Sequence, residues 1–179
     1  MEETAYDYEV CRRVWNRVSP MAEPYPAQEV TLPGAQEDPC CMGTEALESV
    51  EVLRGFVREE MLTQRRLREL SQRCTNTQAR RCFALDAALC AQRVKKLRSA
   101  LYLITGEEYR AEVPFEKTHY GGYCAMLRAL YHDAACSGFN YARAAEEATD
   151  SCLSSLLGGF SQEEYRRAEQ ILDLLAKAL

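Results

Sequence analysis

Charged side chains occur on the apolar stripes of three predicted helices. Glu60 lies on the stripe of the first helix, Arg93 on that of the second, and Glu164 and Arg167 on that of the last. Residues three apart in a helix share a face, so Glu164 and Arg167 point in the same direction. Inward-facing carboxylates either bind metal ions or pair with guanidinium groups. The pattern therefore predicts one of these two kinds of interior site.

The metal alternative requires a defined ligand set. In di-iron carboxylate bundles, one Glu comes from each of two helices and a Glu-x-x-His pair from each of the other two. Six positions occur at the matching spacing: Glu60, Cys90, Arg93, Ala134, Glu164 and Arg167. Only the two glutamates match the required ligands, and guanidinium stays protonated with no lone pair to offer. Two carboxylates cannot hold a di-iron centre, so we expect no metal cofactor here.

The second alternative is a carboxylate–guanidinium cluster. Arg93 and Arg167 both stand where the di-iron pattern has histidine, so each can supply positive charge to Glu60 and Glu164. A simpler interpretation places Glu164 in a helix capping box and leaves the other three on solvated helix edges. We favour a buried or half-buried cluster.

A displacement of 74 residues superimposes the two halves of the pattern. Leu53-Arg54-Gly55-Phe56 falls on Leu127-Arg128-Ala129-Leu130, and Leu97 falls on Ile171. Such matches arise easily by chance in helical sequence. The offset gains weight because it also relates Arg93 to Arg167.

Four long helices must position these residues. Apolar residues recur at the three- and four-residue spacing of helices with one buried face. The predicted helices span 44–73, 77–105, 121–148 and 161–178, with a short helical turn over 151–157. Thr44 and Ser161 are predicted N-caps, Ser161-Gln162-Glu163-Glu164 is a predicted capping box, and Gly106 and Gly158-Gly159 are predicted helix stops.

The connections between the helices predict the topology. A few residues around Asn76 join the first two helices, whereas a longer segment containing Pro114 separates the second from the third. The short link makes an antiparallel hairpin, and the long one allows a crossover. The expected fold is an all-α, ferritin-like four-helix bundle over residues 43–179. Residues 1–42 are expected to form an N-terminal helix and a proline-rich arm packed on this bundle.

Composition narrows the classes of function. The 179 residues are 47% apolar, with 27 acidic and 22 basic side chains and a net charge of -5. No apolar run approaches the length that spans a bilayer, and the first residues are acidic where a signal peptide is basic. We therefore expect a cytoplasmic protein without a membrane partner.

The charge is unevenly distributed along the chain. Residues 54–98 contain twelve basic and four acidic side chains, so the first hairpin is basic. This asymmetry suits an anionic partner or an oligomer formed through a bundle face, although a solvated helix face is the usual explanation. No aromatic residues interleave the arginines as single-strand binders require, so we do not expect a nucleic-acid partner.

The nine cysteines and two histidines of the chain suggest few further metal-binding or catalytic sites. There is no C-x-x-C pair, which argues against a zinc finger. Cys40-Cys41 suits redox chemistry or metal capture, with buried thiols as the favoured alternative. Arg93 lies one turn from Cys90 and can lower its pKa, which would make the thiol reactive toward peroxide. An inert core cysteine is favoured here too, and His132 is expected to be packed or at the surface rather than catalytic.

Several motifs together resemble the rubrerythrin-like, ferritin-like domain proteins of bacteria. In that family the second helix reads Asp-Glu-x-x-His-Ala-Arg-Arg-Leu and runs into Tyr-x-Leu-Ile-Thr-Gly-Glu. The matching stretch here is residues 89–97, followed by Tyr102-Leu103-Ile104-Thr105-Gly106-Glu107. Further matches at 14–20, 38–41, 140–145 and 163–168 extend the resemblance over nearly the whole chain.

The resemblance implies a bundle descended from proteins that bind two irons and handle peroxide, oxygen or iron. This chain departs from the family at four of the metal ligands. Cys90 and Arg93 replace the Glu and His of the second helix. Ala134 replaces the Glu of the third helix, and Arg167 replaces the His of the fourth. The predicted function is a metal-free relative that serves as a structural or interaction module, with no catalytic residue assigned. The alternative is a residual metal- or thiol-dependent oxidoreductase that uses Glu60, Glu164, Cys90 and Asp133.

Overall fold

The computed structural model describes residues 42–114 and 119–179. A short 3₁₀ helix, Thr44–Ser49, precedes four α-helices: α1 (Val50–Arg73), α2 (Thr77–Thr105), α3 (Tyr123–Glu147) and α4 (Ser151–Ala176). The helices pack most closely in two pairs, α1 with α2 and α3 with α4. The predicted all-α four-helix bundle of two hairpins is confirmed. The predicted N-terminal arm, including Cys40 and Cys41, lies outside the described residues apart from Met42.

Local capping explains where α2 begins and ends. The Asn76 side chain accepts a hydrogen bond from the Ala79 backbone N–H at 3.0 Å, which satisfies a donor that the first turn leaves free. Gly106 ends the helix in the left-handed conformation, with φ of 73°, and its N–H donates to the Tyr102 carbonyl. The predicted stop at Gly106 is therefore confirmed, and it is the kind of position that favours glycine.

The first helix begins at the predicted residue, but the predicted N-cap is wrong and the first turns are not α-helical. Thr44 is not an N-cap, because it is the first residue of the 3₁₀ helix and Gly43 precedes that helix without a side-chain cap. The Ala46 N–H donates to the Gly43 carbonyl at 3.1 Å, a three-residue spacing that belongs to a 3₁₀ turn. The regular α-helix begins only at Val50.

The predicted break at Gly158-Gly159 is also wrong. Helix α4 runs without interruption from Ser151, where the Asp150 side chain accepts from the Leu153 N–H at 2.7 Å. Apolar residues before the glycines are buried in register with those after them, so packing outweighs the roughly 1 kcal/mol that each glycine costs a helix. Ser161 is consequently not an N-cap; its hydroxyl donates to the Gly138 carbonyl at 2.8 Å.

A glycine substitution tests this continuity. A Cβ built at Gly159 would meet no neighbouring atom within 4 Å. We expect Gly159→Ala to raise the free energy of unfolding by about 0.5–1 kcal/mol, because alanine loses less backbone entropy in a helix. Gly106→Ala is the control and should destabilise the protein, since φ there is positive. A urea melt in which Gly159→Ala destabilises as Gly106→Ala does would place a helix end at Gly159.

The interior is divided along the bundle axis. One apolar cluster contains Leu67, Phe83 and Ile171, and the other contains Leu53, Leu101 and Leu157. Between them along the helices lie buried charged residues: Glu60 on α1, Arg93 on α2, and Glu164 and Arg167 on α4. The bundle therefore carries a charged layer, defined by these four side chains, between two apolar halves.

The two hairpins bury equivalent positions. Eight of the nine buried residues of α2 have a buried counterpart 74 residues later in α4, including Arg93 and Arg167. The same offset relates buried Glu60 on α1 to buried Ala134 on α3. Each hairpin thus presents a similar face to the other, and the charged layer lies where these faces meet.

Candidate functional site

Arg93 is the centre of the charged layer. Its side chain is 3% exposed. The Nε atom donates to Glu60 Oε1 at 2.8 Å, Nη1 donates to Glu163 Oε2 at 3.1 Å, and Nη2 donates to Glu164 Oε1. The planar fork of a guanidinium can address several carboxylates at once, which an ammonium on a flexible stem does less well. Arg93 thereby joins α2 to both α1 and α4.

Arg167 supports the same carboxylate from one turn along α4. Its Nη2 atom lies 2.8 Å from Glu164 Oε2, an ion pair whose angles are not those of a hydrogen bond. Glu164 has no exposed surface and Arg167 is 7% exposed. The capping-box role considered for Glu164 is therefore wrong, because the residue lies deep inside a continuous helix.

Glu60 connects the layer to α3. Its Oε1 atom accepts from the Tyr141 hydroxyl at 2.8 Å as well as from Arg93, and its Oε2 atom has no hydrogen-bond partner. Tyr141 is buried, and burial together with the Glu60 carboxylate raises the pKa of its hydroxyl well above the usual value. With 5% of its surface exposed, Glu60 does not lie on a solvated helix edge.

Sequence reasoning did not assign Tyr141, Glu163 or Asp86 to the site. Tyr141 falls on the apolar stripe of α3, so its spacing by itself indicates only a core residue. Asp86 is buried on α2, where Cys82 Sγ donates to it at 3.6 Å, and burial raises its pKa in spite of the nearby Arg167. The detectable signal was the occurrence of a carboxylate, Asp86, between two core residues, Phe83 and Ala87.

Two further carboxylates lie beside the charged layer. With Glu163 and Asp86 added to Glu60 and Glu164, four carboxylates face Arg93 and Arg167. Burial raises the pKa of Glu164 to about 7, with Arg167 and Arg93 only partly opposing it. Burial alone would lower the pKa of Arg93, but Glu60 and Glu164 reverse this and raise it overall. Arg93 is therefore fixed as a cation, and it is the carboxylates that share too little positive charge.

Cys90 lies against both arginines but is not an activated thiol. Arg93 Nη2 is 3.4 Å from its sulfur and Arg167 Nη1 is 4.0 Å away. Even so, burial raises the pKa of the thiol, and Glu60 adds to that effect. The lowered pKa considered for Cys90 is thus wrong, because desolvation of a thiolate outweighs the two nearby cations. Ala134 is fully buried in the same apolar cluster as Cys90.

The remaining candidates lie away from this layer or at its edge. Asp133 pairs with Arg66 at 2.5 Å, and both side chains are partly exposed. His132 is exposed, with a ring nitrogen 3.7 Å from Cys136 Sγ. His132 lines the same surface cleft as Glu60 and Glu164, but within residues 42–114 and 119–179 it forms no hydrogen bond with either carboxylate.

The side chains present do not fit a di-iron centre. The guanidinium of Arg93 donates to both Glu60 and Glu164, and so fills the space between the two carboxylates that match the ligand pattern. Over residues 42–114 and 119–179, no three His, Cys, Asp or Glu side chains are grouped to hold a metal ion. A cation in that space would also meet two positive charges.

Comparison with known proteins does not assign the chain to a family. No family model matches it, and neither a curated protein nor a solved structure is significantly similar to it. Of the helices in the described part of the chain, none is both long and apolar enough to cross a membrane. Fold and site together define a class: an all-helical bundle with a buried ionic layer.

Proposed function

We propose that this chain is a metal-free relative of the rubrerythrin-like, ferritin-like proteins and acts as a structural or interaction module. In this proposal the six positions Glu60, Cys90, Arg93, Ala134, Glu164 and Arg167 descend from a di-iron ligand set. Two histidines and two glutamates have been replaced, and the arginines supply the positive charge that metal ions supply in the family. A cytoplasmic location and assembly through a bundle face are part of the proposal.

The observation that carries the proposal is the position of Arg93. Its guanidinium hydrogen-bonds to Glu60 on α1 and Glu164 on α4, the two carboxylates that match the family pattern. Buried carboxylates without a cation would be strongly destabilising, so losing a metal requires such a substitute. The matched substitution of Arg167 at the equivalent position of the second hairpin supports the same history.

Surface features support the interaction part of the proposal. Leu85, Leu103 and Phe139 are each exposed by 60% or more, on α2 and α3. Leu85 and Leu103 lie 18 residues apart, about 27 Å along α2, so they offer separate apolar points of contact rather than one continuous patch. In this proposal the retained bundle is a rigid frame that presents them to a partner.

Metal content decides between this proposal and the residual oxidoreductase. We expect the full chain, expressed in iron-supplemented medium, to contain far less than one iron per chain by elemental analysis. Anaerobic addition of Fe²⁺ to the purified protein should not change this after desalting. A bundle protein with intact Glu-x-x-His motifs, carried through the same steps, is the positive control. About two irons per chain would overturn the proposal and favour the oxidoreductase.

A further inference from the structure

A thiol and an imidazole lie side by side on the outer surface of α3. Cys136 Sγ is 3.7 Å from His132 Nε2 and 3.8 Å from His132 Nδ1, and both residues are exposed. Because they are four residues apart in a helix, they share one face. Among the cysteines within residues 42–114 and 119–179, only Cys136 is exposed. Both ligating atoms are therefore open to an ion from solvent.

The separation of the two side chains suits a zinc ion. Zinc binds thiolate sulfur at about 2.3 Å and imidazole nitrogen at about 2.0–2.1 Å in a tetrahedral arrangement, which places the two ligand atoms about 3.6 Å apart. The 3.7 Å between Cys136 Sγ and His132 Nε2 matches this edge of the tetrahedron. The same four-residue spacing on one helix lets the two histidines of His-Glu-x-x-His hold zinc. Since the His132 ring is exposed, it can turn to direct Nε2 at the ion.

A single chain does not complete this site. Structural zinc is bound by four ligands, usually Cys and His side chains. Over the described ranges, no third His, Cys, Asp or Glu side chain joins Cys136 and His132 in a ligand group. Asp133, next to His132 in the sequence, is paired with Arg66 instead. Two further ligands must therefore come from outside the chain.

A second copy of the chain can supply exactly two such ligands. A twofold axis beside α3 would bring a second Cys136 and a second His132 to the same ion, because a twofold interface uses the same surface of both copies. The result is a Cys₂His₂ site, one of the common ligand sets of closed structural zinc sites.

The surface beside the pair suits contact with a second copy. Phe139 follows Cys136 by three residues, so it lies on the same side of α3, and 60% of its surface is exposed. If two α3 helices pair antiparallel about the midpoint of His132 and Cys136, Phe139 of one copy falls opposite Ala129 of the other. Ala129 is small and partly exposed, so it leaves room for the ring. Burial of Phe139 would add an apolar contact to the metal bridge.

We propose that His132 and Cys136 form half of a Cys₂His₂ zinc site, which two copies of this chain complete across a twofold axis at α3. On binding, each Cys136 thiol loses its proton to solvent and the thiolate becomes the ligand, with no electron transferred. The zinc lies on the surface of α3, so it is separate from the absence of metal at the di-iron positions. The inference rests on the proposed assembly through a bundle face, and it specifies the face, the partner and the bridging ion.

Sedimentation velocity with and without zinc tests this proposal. We expect the full chain, stripped with EDTA, desalted and kept reduced with TCEP, to sediment as a monomer. Added Zn²⁺ should convert it to a dimer with about half a zinc ion per chain, and excess EDTA should reverse the change. Co²⁺ in place of zinc should give the visible absorption of a tetrahedral, thiolate-bound ion. A chain that stays monomeric with zinc, or an equal dimer without it, would overturn the proposal.

Single substitutions assign the ligands. Cys136→Ser and His132→Gln each remove two of the four ligands of a symmetric site, so each should abolish zinc-dependent dimerisation. Cys124→Ser and His119→Gln are the matched controls, because Cys124 lies about three turns away on the same helix and His119 is the other histidine of the chain. Each control should change the dimer Kd by less than about twofold. A zinc-dependent dimer of folded Cys136→Ser would place the metal elsewhere and contradict the assignment.

The zinc and iron measurements fail independently. A chain that contains little iron but does not dimerise with zinc would remove this site and leave the metal-free charged layer in place. A chain that contains about two irons and still forms the zinc dimer would support this site while overturning the proposed function.

Discussion

Arg93→Met lowers the free energy of unfolding by about 3–5 kcal/mol in urea melts, if the charged layer has the geometry described here. Methionine roughly preserves the volume of the side chain, but Glu60 loses its charged donor and Glu164 loses one of two. Removing one partner of a buried ion pair is costly because the other charge stays desolvated. The matched control is Arg81→Met on the exposed side of α2, which should change stability by no more than about 0.5 kcal/mol.

A compensated variant separates charge from packing. Adding Glu60→Gln to Arg93→Met should recover part of the lost stability, since a buried neutral amide needs no cation and Glu164 keeps its ion pair with Arg167. Arg93→Met and Arg81→Met having equally small effects would show that Arg93 is solvated. A double variant no more stable than Arg93→Met would attribute the loss to packing rather than to unpaired charge.

The second large effect concerns metal binding. Restoring the di-iron ligand pattern with Cys90→Glu, Arg93→His, Ala134→Glu and Arg167→His should create a site for about two metal ions per chain, whereas we expect these positions to bind none in the parent. All six positions are buried, and they lie on four helices of one bundle. Four carboxylates and two imidazoles would then replace the present ion pairs. Cobalt titration followed by absorbance measures the stoichiometry.

Partial restoration provides the control. Arg93→His with Arg167→His alone leaves two carboxylates and two imidazoles, and it should bind metal far more weakly than the quadruple variant. Circular dichroism must show that each variant is folded before titration. A folded quadruple variant that binds no more cobalt than the parent would mean that the six positions do not correspond to a ligand set.

The course of α4 was predictable from the repeat but not from local signals. The 74-residue offset carries Thr77, the first residue of α2, onto Ser151, the first residue of α4. Gly158-Gly159 and the capping-box pattern at Ser161 favoured a later start, because both are strong local signals for a helix end. Burial of Leu153 and Leu157 against the rest of the core outweighs those signals. Long-range packing of this kind is not contained in a local motif.

The four members of the charged layer were predictable from the sequence, but the side chains around them and the geometry were not. Spacing alone identifies Glu60, Arg93, Glu164 and Arg167 as inward-facing on their helices. It does not say how far α3 lies from α1, so the hydrogen bond from Tyr141 to Glu60 could not be anticipated. The hypothesis of a lowered pKa for Cys90 was wrong for a related reason, because the pKa of the thiol depends on depth of burial more than on the neighbouring Arg93. Both depend on distances between helices, which sequence spacing does not encode.

The charged layer also determines how the two hairpins can align. Apolar contacts tolerate sliding, because one leucine can replace another against the same surface. Sliding α4 against α2 by one turn, about 5.4 Å, would move Glu164 out of reach of Arg93 and break the buried ion pair that joins the two hairpins. Each ion would keep only the partner in its own hairpin, Arg167 for Glu164 and Glu60 for Arg93. Each hairpin contains mostly local contacts and can form early, whereas correct docking must wait for these ions to meet. The charged layer therefore stabilises one relative alignment of the two hairpins over alignments shifted by a helical turn.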